Sequence, residues 1–276
     1  MRAALCQMCS SDDPGENLAA ARAMIAEAAA GGAQLVCTPE VTNCVSTSRT
    51  QQEEVLRLEE DDPVLAGLRE AAREAGVWLA IGSLALKTRD ADGRFANRSF
   101  LISPEGEIAA RYDKIHMFDV QVSETETYRE SAGYRPGGQA VVAQTPLATL
   151  GLTICYDVRF PHLHRALGKA GAEVLLVPSA FSPGTGPGHW EVLLRARAIE
   201  TGAFVLAAAQ TGEHSLSQGR PRRSYGHSLA VAPWGEVLLD AGEEAGVFLV
   251  DLDLGKVAEA RGRLPALSHD RGFDGP

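Results

Sequence analysis

Apolar positions along the chain alternate between runs and helical spacings, and each change of spacing marks an element. Residues 2–8 form a short apolar run that reads as a strand. Asp12-Asp13-Pro14 then supplies helix-start chemistry, an alanine-rich stretch follows, and Gly31-Gly32 stops it. Residues 33–38 are the next strand. A second helix starts after Asp62-Pro63, carries Leu65, Leu68 and Ala72 on one face, and ends near Gly76. Both helices are amphipathic, so each covers a sheet face. The apolar run 77–86 predicts a buried strand, and 99–103 and 107–113 flank Pro104-Glu105-Gly106 as a hairpin.

In the second half, strands are expected at 147–154, 173–178 and 203–210, with helices at 161–170 and 189–201 between them. Later strands fall at 228–232, 237–240 and 246–251, around the turn Pro233-Trp234-Gly235, before a short final helix and an irregular tail. The two strand-helix-strand halves join without a linker, low-complexity tract or charge block. A single α/β domain over residues 1–276, with two sheets inside and helices outside, is the economical arrangement. Strand order does not follow from this pattern.

Composition narrows the partners. The 276 residues are 45% hydrophobic, enough for a large core. Lysine and arginine total 26 against 36 aspartate and glutamate, and the resulting charge of -10 opposes general affinity for nucleic acid or anionic membranes. A small-molecule or protein partner is expected. The longest apolar runs fall short of the roughly 20 residues of a spanning helix. Ser10, Ser11, Asp12 and Asp13 arrive too early for a secretory signal, so a cytoplasmic location is expected. Five cysteines, an odd number in a long chain, fit reduced thiols better than a disulfide framework.

One of those thiols has the placement of a nucleophile. Cys155 stands where a strand ends and just before Pro161 begins a helix, a junction that presents a side chain above a sheet edge. A thiol attacks only as thiolate and therefore needs a base or a positive charge beside it. Two other expected strand ends offer these groups: Glu40 follows Leu35-Val36-Cys37-Thr38-Pro39, and Lys114 follows Ala110-Arg111-Tyr112-Asp113. A partly desolvated glutamate can take the thiol proton and later activate water. A lysine ammonium, with a backbone N–H near Tyr156, can stabilise the oxyanion. Singly, each residue reads as structural or solvated; their common placement makes the case.

Pro39-Glu40, Tyr112-Asp113-Lys114-Ile115-His116 and Cys155-Tyr156-Asp157-Val158-Arg159-Phe160-Pro161 resemble the motifs of the nitrilase superfamily of carbon–nitrogen hydrolases, in that family's order. The resemblance extends over almost the whole chain, through 185–191, 195–200, Tyr225-Gly226-His227-Ser228 and Pro233-Trp234-Gly235. It implies an αββα sandwich of two mixed sheets, a Glu-Lys-Cys triad of Glu40, Lys114 and Cys155 without metal or organic cofactor, and a homodimer. It also implies that Glu130 orients Lys114 and the substrate nitrogen.

Within the superfamily the chain is most similar to amidases of deaminated glutathione, with ω-amidases of 2-oxoglutaramate next. Ala207-Ala208-Ala209-Gln210 before Thr211-Gly212 favours the former. The implied reaction is hydrolysis of a linear amide on a small carboxylate-bearing substrate through a thioester, with release of ammonia. For such a substrate Arg159 can contact a carboxylate, and by the same resemblance Phe181 and Thr185 line the pocket. Arg159 can equally serve as a structural ion-pair residue. Val41-Thr42-Asn43-Cys44-Val45 departs from relatives that carry an aromatic residue there, which leaves the substrate open.

Other patterns carry less. Cys6-Gln7-Met8-Cys9 lies in or beside a strand with no second pair, so core packing is its default. Gly226-His227-Ser228-Leu229-Ala230 lacks the last glycine and the helix of a serine-hydrolase elbow. His116, His162, His164, His189 and His227 show no ligand spacing, and no Gly-Lys-Ser/Thr follows the turn at Gly184, Gly186 and Gly188. Trp190, Leu193, Leu194 and Ala198 share a face suited to core or dimer packing. Rival readings are an N-carbamoyl-amine or aliphatic amide hydrolase with the same triad, and a catalytically silent binding scaffold.

Overall fold

The computed structural model of the chain describes residues 1–122 and 127–275. The first half contains β1 (Arg2–Gln7), α1 (Pro14–Ala30), β2 (Leu35–Cys37), α2 (Arg49–Val55), α3 (Pro63–Ala75), β3 (Trp78–Leu86), β4 (Ala96–Ile102) and β5 (Ile108–Asp113). The antiparallel pair β6 (Asp119–Gln121) and β7 (Thr127–Arg129) follows. The second half contains β8 (Val141–Gln144), β9 (Thr149–Leu152), α4 (Pro161–Lys169), β10 (Val174–Leu176), α5 (Gly186–Thr201) and β11 (Phe204–Ala207). Another small antiparallel pair, β12 (Thr211–Glu213) and β13 (Arg223–Tyr225), precedes β14 (Leu229–Val231), β15 (Val237–Asp240), β16 (Gly246–Asp251) and α6 (Gly255–Arg263).

Two six-stranded mixed sheets result, in the orders β16-β1-β2-β3-β4-β5 and β15-β14-β11-β10-β9-β8. The centre of each is parallel, β1-β2-β3 in one and β9-β10-β11 in the other, because helices carry the chain back between those strands. Side-chain alternation decides the layers. In β1, Ala3 and Leu5 join Leu150, Leu152 and Val174 between the sheets, while Ala4 and Cys6 pack with Ile25 of α1 and Leu68 of α3. Trp190, Leu194 and Ala198 of α5 cover the far face of the second sheet. The layers are therefore helix, sheet, sheet, helix. Leu68 is fully buried, and truncating such a leucine to alanine costs about 2–5 kcal/mol.

Local chemistry explains the helix ends. Asp13 accepts hydrogen bonds from the N–H groups of Gly15 and Glu16 at 2.7 and 3.1 Å, ahead of Pro14 in the first turn of α1. Asp62 caps Leu65 N–H at 2.7 Å, and Gly76 ends α3 at φ 64°.

The register of β3 positions the site. Its pairing with β4 shifts between Ile81 and Leu84, and Gly82 lies in that bulge. A Cβ at Gly82 would come within 2.2 Å of Thr38 O and 2.5 Å of Pro178 Cβ, so only glycine admits this contact between the sheets.

The strands anticipated from the pattern are present, most of them with one or more residues fewer at their ends. α5 begins at Gly186, three residues before the expected 189, because Pro187 is compatible with the first turn. The pattern did not anticipate α2, β6, β7, β8, β12 or β13, which are short elements with mixed composition. Among the described residues, no helix is long and apolar enough to cross a membrane.

Candidate active site

Glu40 lies three residues beyond β2, on a corner clamped by the β3 bulge. Val41 N–H donates to Ser83 Oγ at 2.8 Å, Ser83 N–H to Pro39 O at 3.3 Å, and Thr42 N–H to Ser83 O at 2.9 Å. These bonds hold Val41 at φ 48°, a left-handed conformation that a β-branched residue avoids elsewhere. The Glu40 carboxylate is thereby buried at 4% exposure. Its Oε1 accepts from Lys114 Nζ at 2.8 Å and Asn97 Nδ2 at 2.9 Å, and its Oε2 from Ala180 N–H at 2.9 Å.

Lys114 follows β5 and is 2% exposed. Its ammonium also reaches both oxygens of Glu130, at 2.9 and 2.8 Å, so all three donors are used. Glu130 starts a 3₁₀ turn and accepts Phe118 N–H at 2.7 Å. Arg49 of α2, stacked over Phe95, donates to Gly133 O at 3.1 Å and secures this turn.

Cys155 opens a 3₁₀ turn, Cys155–Arg159, three residues after β9. Its φ of 49° is also left-handed, and its N–H donates to Pro178 O at 2.8 Å across to the neighbouring strand end. Asp157, fully buried, holds the turn in place. It accepts Ile154 N–H at 2.9 Å, Tyr112 O–H at 2.6 Å and His116 N–H at 3.0 Å, and His116 Nδ1 lies 2.7 Å away. The Lys114 motif and the Cys155 motif are thus joined through one carboxylate. Behind it, His116 stacks on Phe160 at 3.5 Å, and Arg197 of α5 donates to Val158 O at 2.7 Å.

Protonation follows from these contacts. Burial works against the Glu40 carboxylate, but the charge and hydrogen bond of Lys114 outweigh it and hold its pKa below the usual value. Burial likewise opposes the Lys114 ammonium, yet Glu130 and Glu40 raise its pKa well above normal. Burial, and then the Glu40 charge, push the Cys155 thiol up, with Lys114 acting in the other direction. The resting site therefore pairs a neutral thiol with an ionised carboxylate, the arrangement in which a base can take the thiol proton during attack.

All these groups open into one cavity of about 270 Å³. Of the residues singled out in the sequence, Glu40, Lys114, Glu130, Cys155, Tyr156, Phe181 and Thr185 line it. Arg159 lies outside the lining: its guanidinium sits 5.8 and 5.4 Å from the ring centroids of Tyr156 and Phe181, with Nη1 3.2 Å from His189 Nδ1. Val41, Cys44 and Val45, from the loop that departs from relatives, border the cavity. Asn97, Tyr134, Arg220 and Arg222 also line it and were missed. Asn97 is followed in β4 by the polar Arg98 and Ser99, so nothing in the sequence set it apart; its Oδ1 is buried with no hydrogen-bond partner among the described residues.

The lesser motifs are used elsewhere. Cys6 is in the core as expected, but Cys9 is exposed beside His214, since β1 ends before it. All five cysteines are free. Ser228 Oγ accepts Ala209 N–H at 2.8 Å, His164 is buried in α4, and His227 Nδ1 lies 2.9 Å from Asp240. Among the described residues no group of three histidine, cysteine or acidic side chains is placed to hold a metal.

The profile of the carbon–nitrogen hydrolase family matches residues 2–262. The deaminated glutathione amidase of Yersinia enterocolitica is 40% identical over 269 residues, covering 97% of this chain and 92% of its own. That of Mus musculus is 39% identical, covering 97% and 82%. Among solved structures, the C. elegans NitFhit protein superposes with a TM-score of 0.89 at 37% identity over 98% of this chain, which spans 65% of that protein's length. An amidase from Nesterenkonia sp. AN1, a mutant of which shows Michael addition of acrylamide at the active-site cysteine, superposes with a TM-score of 0.77 at 30% identity, covering 96% of this chain and 98% of that one. With a family match over nearly its whole length and relatives of this likeness, the chain belongs to the carbon–nitrogen hydrolases of the nitrilase superfamily, enzymes that act on amides.

Proposed function

We propose that this chain is a cysteine-dependent amidase that cleaves the linear amide of a small carboxylate-bearing substrate through a thioester on Cys155. By likeness to its relatives, deaminated glutathione is the first candidate. The observation that carries the reading is the meeting of a neutral Cys155 thiol, an ionised Glu40 and the Lys114 ammonium in one cavity. Glu40 takes the thiol proton as sulfur adds to the amide carbonyl. The oxyanion is stabilised by Lys114 and the Tyr156 backbone N–H. One of the two Lys114 bonds to Glu130 can turn to the oxyanion while the other persists. Protonated Glu40 returns the proton to nitrogen, the C–N bond breaks, ammonia departs and the acyl group stays on sulfur. Glu40 then deprotonates a water, which adds to the thioester; the C–S bond breaks, releasing the carboxylic acid and the thiol.

The reading extends to one domain over residues 1–276, a reducing cytoplasmic setting that suits five free thiols, and a homodimer. Support for the dimer is the outer face of α5, which leaves Val192 and Ile199 exposed, Ile199 packing at Gly235 next to the exposed Trp234. The test is ammonia release from deaminated glutathione. Cys155→Ala is expected to lose roughly 10⁴-fold or more with its thermal melting unchanged, and Cys155→Ser to be severely impaired. Intact-mass spectra of the wild type during turnover should show an acyl adduct on Cys155. Turnover retained in Cys155→Ala refutes the reading.

A further inference from the structure

The cavity inverts the charge of the chain. The protein carries -10 overall, yet the described residues lining the cavity set two carboxylates, Glu40 and Glu130, against four cations, Lys114, Arg129, Arg220 and Arg222. Lys114 is consumed by the two glutamates, and Arg129 lies near Asp119. Arg222 is different: among the described residues no carboxylate forms an ion pair with it or with Arg220. Its influence reaches Glu40, whose carboxylate it helps to keep ionised after the larger effects of burial and Lys114. Other half-buried or buried arginines are committed, Arg98 to Asp113 and Glu59, Arg197 to Val158 O and Glu200.

The backbone that carries Arg222 is held on two sides. Thr47 Oγ1 donates to Arg220 O at 2.9 Å and accepts Arg220 N–H at 2.8 Å. Gly219, at φ 97°, lies so close to Thr47 Oγ1 that a Cβ there would be 2.3 Å away. His214 N–H donates to Arg222 O at 3.0 Å, and the His214 ring is fixed between Ser10 O and Ser224 Oγ, each at 2.8 Å. A guanidinium on such a support, facing a cavity with no carboxylate partner among the described residues, is suited to planar, charge-assisted pairing with an anion of the ligand.

We propose that Arg222 is the specificity-determining residue of this site, its guanidinium taking a carboxylate that the substrate carries away from the scissile amide. The proposal deepens, and rests on, the amidase reading. It also transfers the carboxylate contact expected of Arg159, which lies outside the lining, to a residue within it.

Binding separates this from the chemistry. Dicarboxylic acid monoamides from succinamate to suberamate, and neutral unbranched amides of equal length, are titrated calorimetrically into Cys155→Ala protein with Arg222, Arg222→Gln or Arg222→Lys. At the best chain length the preference for the acid over its neutral partner should fall about tenfold or more in Arg222→Gln and be partly restored in Arg222→Lys. In the active enzyme the same loss should appear in KM more than in kcat. No preference for the acid with Arg222 present, a preference unchanged in Arg222→Gln, or equal weakening of both amides overturns the proposal. Absence of ammonia release from wild-type protein refutes the amidase reading, and the binding comparison still decides Arg222.

Discussion

At the floor of the cavity, Lys114 gives three hydrogen bonds to the buried Glu40 and the half-buried Glu130, and each carboxylate accepts further donors. On the wall that carries Arg220 and Arg222, two guanidiniums face the same space without a carboxylate partner among the described residues. The floor is a closed network in which proton positions are preset, as a reaction requires. The wall is left open for a ligand to complete. Removing a member should therefore damage the two regions in different ways.

Lys114→Met tests the floor most severely. It leaves Glu40 buried, and Glu130 half-buried, without their cation and should cost about 3–5 kcal/mol of stability, read from urea unfolding, together with activity. With the ammonium gone, burial is no longer offset and Glu40 should titrate higher, so the deficit should shrink as pH falls and Glu40 protonates. A deficit that is the same at pH 5 and pH 8 contradicts the closed-network description.

Asp157→Asn should cost about 2–3 kcal/mol, since an amide nitrogen would then face the donors of Ile154, Tyr112 or His116. Because Asp157 touches neither the thiol nor Lys114, kcat should fall about tenfold or more with KM little changed, by displacement of Cys155. A variant with wild-type kcat would show that the turn holds without it.

Two buried histidines stand behind these regions, His164 in α4 and His214 under the Arg222 wall. Burial lowers both to about 4, with Arg197 adding to the effect at His164 and Arg222 at His214. Their folded-state pKa lies below the unfolded value of 6.5, so the stabilisation is complete above pH 6.5 and is lost as pH falls toward 4. Each should cost on the order of 2 kcal/mol by pH 5, and melting followed from pH 7 to 4.5 should show the decline. Replacing His214 by asparagine should flatten its share of that decline.

The smallest expected effect is on the wall. Arg222→Gln breaks no ion pair among the described residues and should change stability by about 0.5 kcal/mol or less, whatever it does to ligand preference. Denaturant midpoints check this, and a large loss would place Arg222 in the protein's own framework.

Much of the fold was legible because its determinants are local. Asp13-Pro14, Asp62-Pro63 and Gly76 mark helix ends by side-chain capping and backbone freedom, and the apolar runs mark the buried strands. Short elements such as α2 and the β12–β13 pair escaped because neither has a periodic apolar face; contacts from elsewhere in the chain hold them in place. Glu40, Lys114 and Cys155 were legible for a related reason: each stands just past a strand end, and a sheet edge is where strand ends converge.

The sequence by itself determined the longer strands and helices and the three groups on which the proposed chemistry rests, and its family resemblance implied the pair of mixed sheets. Tertiary structure alone decided that Asn97 reaches Glu40 across 57 positions and that Asp157 joins both motifs. It also decided that Arg159 sits over the rings of Tyr156 and Phe181, outside the cavity lining, while Arg222 belongs to that lining. The reason is physical: capping and periodicity act within a few residues, whereas the partner of a buried charge depends on register and loop closure between distant segments.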